Sequence, residues 1–172
     1  LKTVLEWRNS ERIRKNMFND KVISLEEHTQ WYQDISQNKN SRYLIFLIDN
    51  LPMGLVNFNE INDTNASCLW GFYVGKFNAP KGTGTLMGYL GIEYAINCLK
   101  TWKINSEVLE FNLPSIKFHE KFGFKKEGVF KHHHLKYGKY VDVVRYALFQ
   151  TEWEKNKGAI IKDIRKKGYF IE

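Results

Sequence analysis

A glycine-rich turn set between a strand and a helix constrains this chain more than any other stretch. It runs Asn78-Ala79-Pro80-Lys81-Gly82-Thr83-Gly84-Thr85. Before it lies Leu69-Trp70-Gly71-Phe72-Tyr73-Val74, an apolar and aromatic run that reads as a strand. After it a helical pattern continues to about Lys100. The first N–H groups of a helix have no partner within the helix and point beyond its end, so this junction suits a phosphate group. Gly82 and Gly84 let the backbone approach closely, with no Cβ in the way. Lys81 adds a point charge. A lone G-x-G is also what an ordinary loop holds, so the turn needs support from elsewhere in the chain. Two nucleotide-binding patterns are excluded. No G-x-x-x-x-G-K-[ST] is present, and a dinucleotide fingerprint would need glycine at 87, where Met87 stands.

The 172 residues amount to one domain, and with 43% hydrophobic and 15% aromatic content they can bury a real core. No apolar run reaches the ~18 residues of a membrane-spanning helix, and no signal peptide is visible, so no membrane partner is expected. The net charge of +7 raises the question of nucleic acid. There is no zinc-finger spacing, no RNA-binding aromatic signature and no dense basic helix before the tail, so a phosphorylated small ligand accounts for the surplus and no nucleic-acid partner is expected. Cys68 and Cys98 have no metal spacing and fit free thiols in a reducing cytoplasm. Leu1 is not an initiator methionine, so the natural chain is expected to begin earlier, with a first strand missing or truncated here.

Residues 2–17 read as one helix, with Val4, Leu5, Trp7, Ile13 and Met17 able to share a face. Ser24-Leu25-Glu26-Glu27 is a capping box that opens a second helix to about Gln37. The period then changes. Strands are expected at 42–48, 51–60 and 67–74, then the glycine turn and its helix, a short strand at 108–111 and a short helix at 114–122. Residues 124–135 and 140–149 form a final hairpin around Tyr137-Gly138-Lys139. The order α-α-β-β-β-α-β-α-β-β defines one α/β domain over residues 1–149 with a mixed sheet. Residues 150–172 make a basic helical tail, read as a solvated or packing helix.

A second block, Asn112-Leu113-Pro114-Ser115-Ile116-Lys117-Phe118-His119-Glu120-Lys121-Phe122-Gly123-Phe124, follows one helix and one strand later. It resembles the N-x-x-[AS]-x-x-[LF]-[YH]-E-K-x-G-F block of the GNAT superfamily of N-acetyltransferases. The turn at 79–84 resembles the R/Q-x-x-G-x-G/A loop with which that superfamily binds the diphosphate of acetyl-CoA, except that Ala79 replaces Arg or Gln. The resemblance implies the GNAT acyl-CoA N-acyltransferase fold, a central mixed and mostly antiparallel sheet splayed in the middle and flanked by helices. It implies acetyl-CoA as co-substrate, with a pantetheine arm bonding in the splay near Phe72, Tyr73 and Val74. Lys81, Gly82, Thr83, Gly84 and Thr85 would then cradle the diphosphate, with Asn112, Ser115, Phe118 and Lys121 as further contacts. Val4-Leu5-Glu6-Trp7-Arg8-Asn9, Ile13-Arg14-Lys15-Asn16-Met17, Ile23 to Trp31 and Gly138-Lys139-Tyr140-Val141-Asp142-Val143 look like one branch. That branch is the nucleotide-sugar acetyltransferases of pseudaminic acid biosynthesis, which acetylate the 4-amino group of a UDP-linked 4-amino-4,6-dideoxy-N-acetyl-β-L-altrosamine. Peptide and amino-acid acetyltransferases share the Trp-Arg-Asn signature, so protein N-terminal or amino-acid acetylation is the alternative. A CoA-binding regulatory module without turnover is the alternative of another class.

Acetyl transfer needs a neutral amine, a donor for the oxyanion and a proton for the departing thiolate. The oxyanion donor is expected to be a backbone N–H of the 69–74 strand, near a bulge. Glu107 and Glu110 are the candidates for general base; three positions apart on or beside one strand they face opposite sides, so at most one points into the site, and Glu107 is favoured. His119 stands where most GNAT enzymes carry the proton-donating tyrosine. It is expected to act as an imidazolium, with Tyr73 or Tyr137 as the alternative donor. For the UDP-sugar, Arg8 and Arg14 are expected on the diphosphate, with Met17, His28 and Trp31 in the same wall. His132-His133-His134 invites a metal reading, but no third ligand is in sight and the chemistry needs no metal, so none is expected. The hairpin carrying these histidines is instead expected to line the acceptor pocket. Pairing of two protomers into a homodimer through the last strands is compatible with this pattern.

Overall fold

The computed structural model describes residues 1–171 and builds them on a six-stranded sheet of order β1-β2-β3-β4-β6-β5. In chain order the elements are α1 (Lys2–Asn9), α2 (Glu11–Arg14), α3 (Leu25–Gln37), β1 (Arg42–Ile48), β2 (Leu51–Asn62) and β3 (Ser67–Val74). Then come α4 (Thr83–Asn97), β4 (Lys103–Leu109), α5 (Leu113–Lys121), β5 (Lys125–Lys136), β6 (Lys139–Phe149) and α6 (Gln150–Lys166). All neighbouring pairs are antiparallel except β3 with β4, which the α4 crossover makes parallel.

The local signals explain most of these boundaries. Ser24 accepts from the Glu27 N–H and Glu27 accepts from the Ser24 N–H, so the capping box starts α3. Asn112 accepts from the Ser115 N–H, and Pro114 stands in the first turn of α5. Two boundaries differ from expectation. The helix expected over 2–17 breaks at Ser10, which is extended and turns its hydroxyl onto the Trp7 carbonyl. The strand expected at 108–111 begins at Lys103 and ends at Leu109. Its first half is concealed by Asn105 and Ser106, both buried; Asn105 Nδ2 donates to the Cys68 carbonyl and ties β4 to β3.

One sheet face carries the main core. Phe58, Trp70, Ile104, Val144, Tyr146 and Leu148 pack there against Met87, Ile92 and Ala95 of α4, with Phe122 beside them. The tail helix is part of this core: Trp153, Ile160 and Ile164 are almost fully buried, and Trp153 Nε1 donates to Glu93 Oε1 at 2.5 Å. Burying three such side chains contributes roughly 1.5–3 kcal/mol each, so α6 is a packing helix, with its basic residues on the outside. The opposite sheet face turns toward α1, α2 and α3.

Candidate active site

The parallel ladder between β3 and β4 is short. It joins Ser67, Cys68 and Leu69 to Lys103, Ile104 and Asn105. Beyond Leu69, β3 keeps its partner β2 through Val74, while β4 keeps β6 through Leu109. The two strands therefore part between Trp70–Val74 and Ser106–Leu109, and a cleft of about 820 Å³ opens there. This is the splay, with one strand edge free for an extended ligand to pair with. The bulge expected within 69–74 is absent. The β2–β3 register shift falls between Asn59 and Asn62 instead, at the Leu69 end of the cleft.

The glycine turn does not itself line the cleft but lies beside its Val74 end, where a Cβ on Gly84 would come 3.5 Å from Val74 Cγ2. Gly82 caps α4 in the left-handed region, at φ 99°, a conformation open to glycine and costly for other residues. The Thr83 N–H and hydroxyl both return to the Pro80 carbonyl. No side chain caps α4, and among the described residues no backbone acceptor meets the N–H of Gly84 or Thr85. Two unpaired donors at a helix start, reached over a glycine, fit a diphosphate. Lys81 is exposed beside them. Lys121, also expected here, pairs with Asp163 at 2.5 Å.

Phe72 and Phe118 form the aromatic floor, with ring centroids 4.4 Å apart, and Gly88 of α4 lies directly under Phe118. Asn112, Ser115 and His119 follow along α5 into the same wall. His119 is 2% exposed and enclosed by Trp70, Phe124 and Tyr146. Its Nδ1 lies 2.7 Å from the Ser115 carbonyl, which accepts only if Nδ1 carries the proton. Nε2 then presents a lone pair, and it has no partner among the described residues. Burial pushes the imidazole down to about 4, against a smaller opposing effect of the Ser115 carbonyl. The structure thus corrects the expectation of an imidazolium: at neutral pH His119 is a neutral ring offering an acceptor. Tyr137, an alternative proton donor, is exposed on the hairpin turn and outside the cleft. Tyr73 is in the wall. Its hydroxyl is pushed up to about 12 by burial, partly opposed by the nearby Arg8, so it keeps its proton.

The acceptor wall combines the free sheet face with the first helices. Register puts Leu55, Asn57 and Asn59 of β2 on the same side as Leu69, Gly71 and Tyr73 of β3 and Glu107 of β4. Glu107 is held by Arg145 across the β4–β6 ladder at 2.7 Å. Glu110 lies past the strand end, where it accepts from the Asp142 N–H, and it is outside the cleft. Arg8 donates through Nη2 to the Asn19 carbonyl, while its Nη1 is shielded and unpartnered among the described residues. Burial lowers its pKa first and Arg14 adds to this, whereas Tyr73 and Asp20 oppose it. Arg12 reaches the carbonyls of Val74 and Gly75 at 3.0 and 2.8 Å. Trp31 and Met17 line the wall as expected. His28 lines it while 3% exposed, stacked on Trp31 at 4.9 Å, with its pKa lowered by burial.

Two expected parts of this wall are elsewhere. Arg14 donates to the Asp20 carbonyl and braces the 16–23 segment from outside the cleft, because the break at Ser10 puts it on a different helix from Arg8. The β5–β6 hairpin does not line the cleft either. It buttresses that segment from behind: His134 Nε2 meets the Phe18 carbonyl and Lys136 donates to the Met17 carbonyl. A register shift between Phe130 and His134 disturbs the alternation of the three histidines, and no metal-holding group occurs among the described residues. The sequence reading missed Tyr43, Asn57 and Asn59. Tyr43 donates to Asn59 at 3.1 Å, and the signal was two asparagines alternating with buried apolar residues on one strand.

The family description "Acetyltransferase (GNAT) domain" matches residues 1–144. The chain belongs to this family and is an N-acetyltransferase. Among curated relatives, "Acetyltransferase PseH" of Campylobacter jejuni is 28% identical over 124 residues, covering 72% of this chain and 76% of that one. The "SPbeta prophage-derived uncharacterized N-acetyltransferase YokL" of Bacillus subtilis is 28% identical over 131 residues, covering 75% and 73%. Among solved structures, spermidine N-acetyltransferase from Vibrio cholerae in complex with CoA and spermine superposes with a TM-score of 0.82. It is 21% identical and covers 89% of this chain and 91% of that one, which shows the shared fold. Among the described residues no helix is long and apolar enough to cross a membrane.

Proposed function

We propose that this chain transfers the acetyl group of acetyl-CoA to the amino group of a small acceptor bearing an anionic group. The acceptor that fits best is a UDP-linked amino-dideoxy sugar of the pseudaminic acid pathway, acetylated at its 4-amino group. The observation that carries this reading is Arg8. A shielded guanidinium N–H without a partner costs free energy that an anionic ligand recovers. Arg12 adds a second cation to the same wall, and Glu107 is already paired. Glu27, the other carboxylate of the lining, accepts from the Ser24 N–H, so the unpartnered group left for a ligand is the Arg8 N–H, which suits a diphosphate better than a polyamine. Trp31 and Tyr43, edge to face at 5.1 Å, offer an aromatic surface for a base.

In this reading the thioester lies along the free edge of β3, and a backbone N–H there receives the oxyanion. Glu107, through water, takes the proton of the attacking amine. The Tyr73 hydroxyl, which keeps its proton, donates a hydrogen bond to the departing sulfur. The proton that Glu107 takes from the amine returns through water to the CoA thiolate, so amine and thioester become amide and thiol with Glu107 and Tyr73 unchanged. His119 aligns the floor through its bond to Ser115.

The test is Arg8→Met with both substrates titrated. Loss of one hydrogen bond to a charged group costs roughly 1.5–3 kcal/mol. The KM for the UDP-amino-sugar is therefore expected to rise about ten-fold or more, while acetyl-CoA affinity holds. Equal losses for both substrates would make Arg8 a structural residue and remove the main support for an anionic acceptor.

A further inference from the structure

The turn after α6 lies against the start of α4, although some eighty residues separate them in sequence. A Cβ placed on Gly82 would come 2.8 Å from Lys167 Cδ and 3.0 Å from Tyr169 Cε2. Lys167 Nζ is 3.3 Å from Thr85 Oγ1 and 2.5 Å from Asp163 Oδ2. Thr85 is the third residue of α4, and its own N–H is one of the two unpaired donors. Asp163 also receives Lys121 Nζ at 2.5 Å. Among the described residues, two ammonium groups share this one carboxylate beside the start of α4. Position 79, by contrast, carries no cation. Tyr169 packs beside Gly82, and its hydroxyl is shielded yet has no partner among the described residues.

We propose that this turn forms the outer wall of the diphosphate cradle, with Lys167 a ligand of the acyl donor's diphosphate and Tyr169 a second donor beside it. The proposal rests on acetyl-CoA as the acyl donor. The helix start supplies backbone N–H groups that are fixed and neutral. Lys167 supplies a charge whose anionic partner among the described residues, Asp163, is already shared with Lys121. A lysine held on a short turn reaches an oxygen placed over Gly84 and Thr85 by rotating its last bonds away from Thr85 Oγ1. The last turn of the chain would then select donors that carry the diphosphate, a task the glycine loop performs without a side-chain cation at 79.

The experiment compares two acyl donors, acetyl-CoA and S-acetylpantetheine, which lacks the diphosphate. It uses the full chain and its Lys167→Met, Lys167→Arg and Tyr169→Phe variants. Lys167→Met is expected to raise the acetyl-CoA Kd, read by calorimetry, by about ten-fold or more, the low end for a charge-assisted hydrogen bond. With S-acetylpantetheine, kcat/KM is expected to stay within about two-fold. Lys167→Arg should keep most of the acetyl-CoA affinity, and Tyr169→Phe should lower it by about three-fold, again with the nucleotide donor alone. Equal losses with both donors overturn the proposal, because they indicate a packing role for the turn. Unchanged or tighter acetyl-CoA binding overturns it too, and tighter binding marks the turn as an obstruction. A wild-type chain that binds no acetyl-CoA overturns the reading of the cradle itself, a result distinct from any change confined to the variants.

Discussion

His119 ties the site to the stability of the domain in a way that pH exposes. In the unfolded chain its imidazole titrates at the ordinary 6.5, whereas burial in the fold pushes it down to about 4. Below pH 6.5 the unfolded state therefore binds a proton that the folded state refuses, and stability falls as the solution is acidified toward the folded value. One pKa unit is worth about 1.4 kcal/mol, so the full gap amounts to about 3 kcal/mol, of which about 2 kcal/mol is lost between pH 7 and pH 5. Asp142 and Asp163, whose carboxyls are held low by lysine partners, also lose stability in acid. For that reason the comparison is with His119→Phe, in which the aspartates are unchanged. Urea unfolding at pH 7, 6 and 5 should show the wild type losing about 2 kcal/mol more than the variant across this interval. The variant's absolute stability is irrelevant to this difference. The same neutral ring predicts that His119 adds no fall in activity to a rate profile between pH 6 and 8. Parallel pH slopes for the two proteins, or a wild-type limb near pH 6.5 that vanishes in His119→Phe, would refute the buried neutral imidazole.

Two further outcomes follow from packing and from the ion pair on β4. Gly88→Ala puts a Cβ 2.3 Å from Phe118 Cζ. The overpacking penalty of about 1–3 kcal/mol should outweigh the gain of up to about 1 kcal/mol in helix propensity, so thermal melting should fall and the acetyl-CoA KM should rise with it. Glu107→Gln keeps the shape and leaves Arg145 without its carboxylate. The proposed role as base predicts a kcat loss on the order of 10²-fold with little change in either KM, measured by thiol release; a kcat within two-fold of wild type would move the base elsewhere.

The fold and the donor half of the site were legible because their signals are contiguous. The turn at 79–84 and the block at 112–124 carry their geometry in short unbroken runs, with caps and glycines that act locally. The acceptor wall is assembled differently. Arg8 and Arg14 look equivalent in sequence, and only the break at Ser10 sends one into the cleft and the other to Asp20. Asn57 and Asn59 gain meaning from the register that sets them beside Tyr73 and Glu107. The charge state of His119 is a consequence of burial among Trp70, Phe124 and Tyr146, which no local pattern encodes. The tail shows the opposite case. Trp153, Ile160 and Ile164 have helical spacing, but the lysines around them give the segment a strongly basic composition.

The acceptor is the centre of the account, and product mass spectrometry tests it most directly. The chain is incubated with acetyl-CoA and an equimolar mixture of the UDP-4-amino-4,6-dideoxy sugar, spermidine and an amino-terminal peptide. The account predicts that the UDP-sugar alone gains the mass of one acetyl group, at its 4-amino nitrogen, with stoichiometric free CoA. Acetylation of spermidine or the peptide ahead of the UDP-sugar would contradict it.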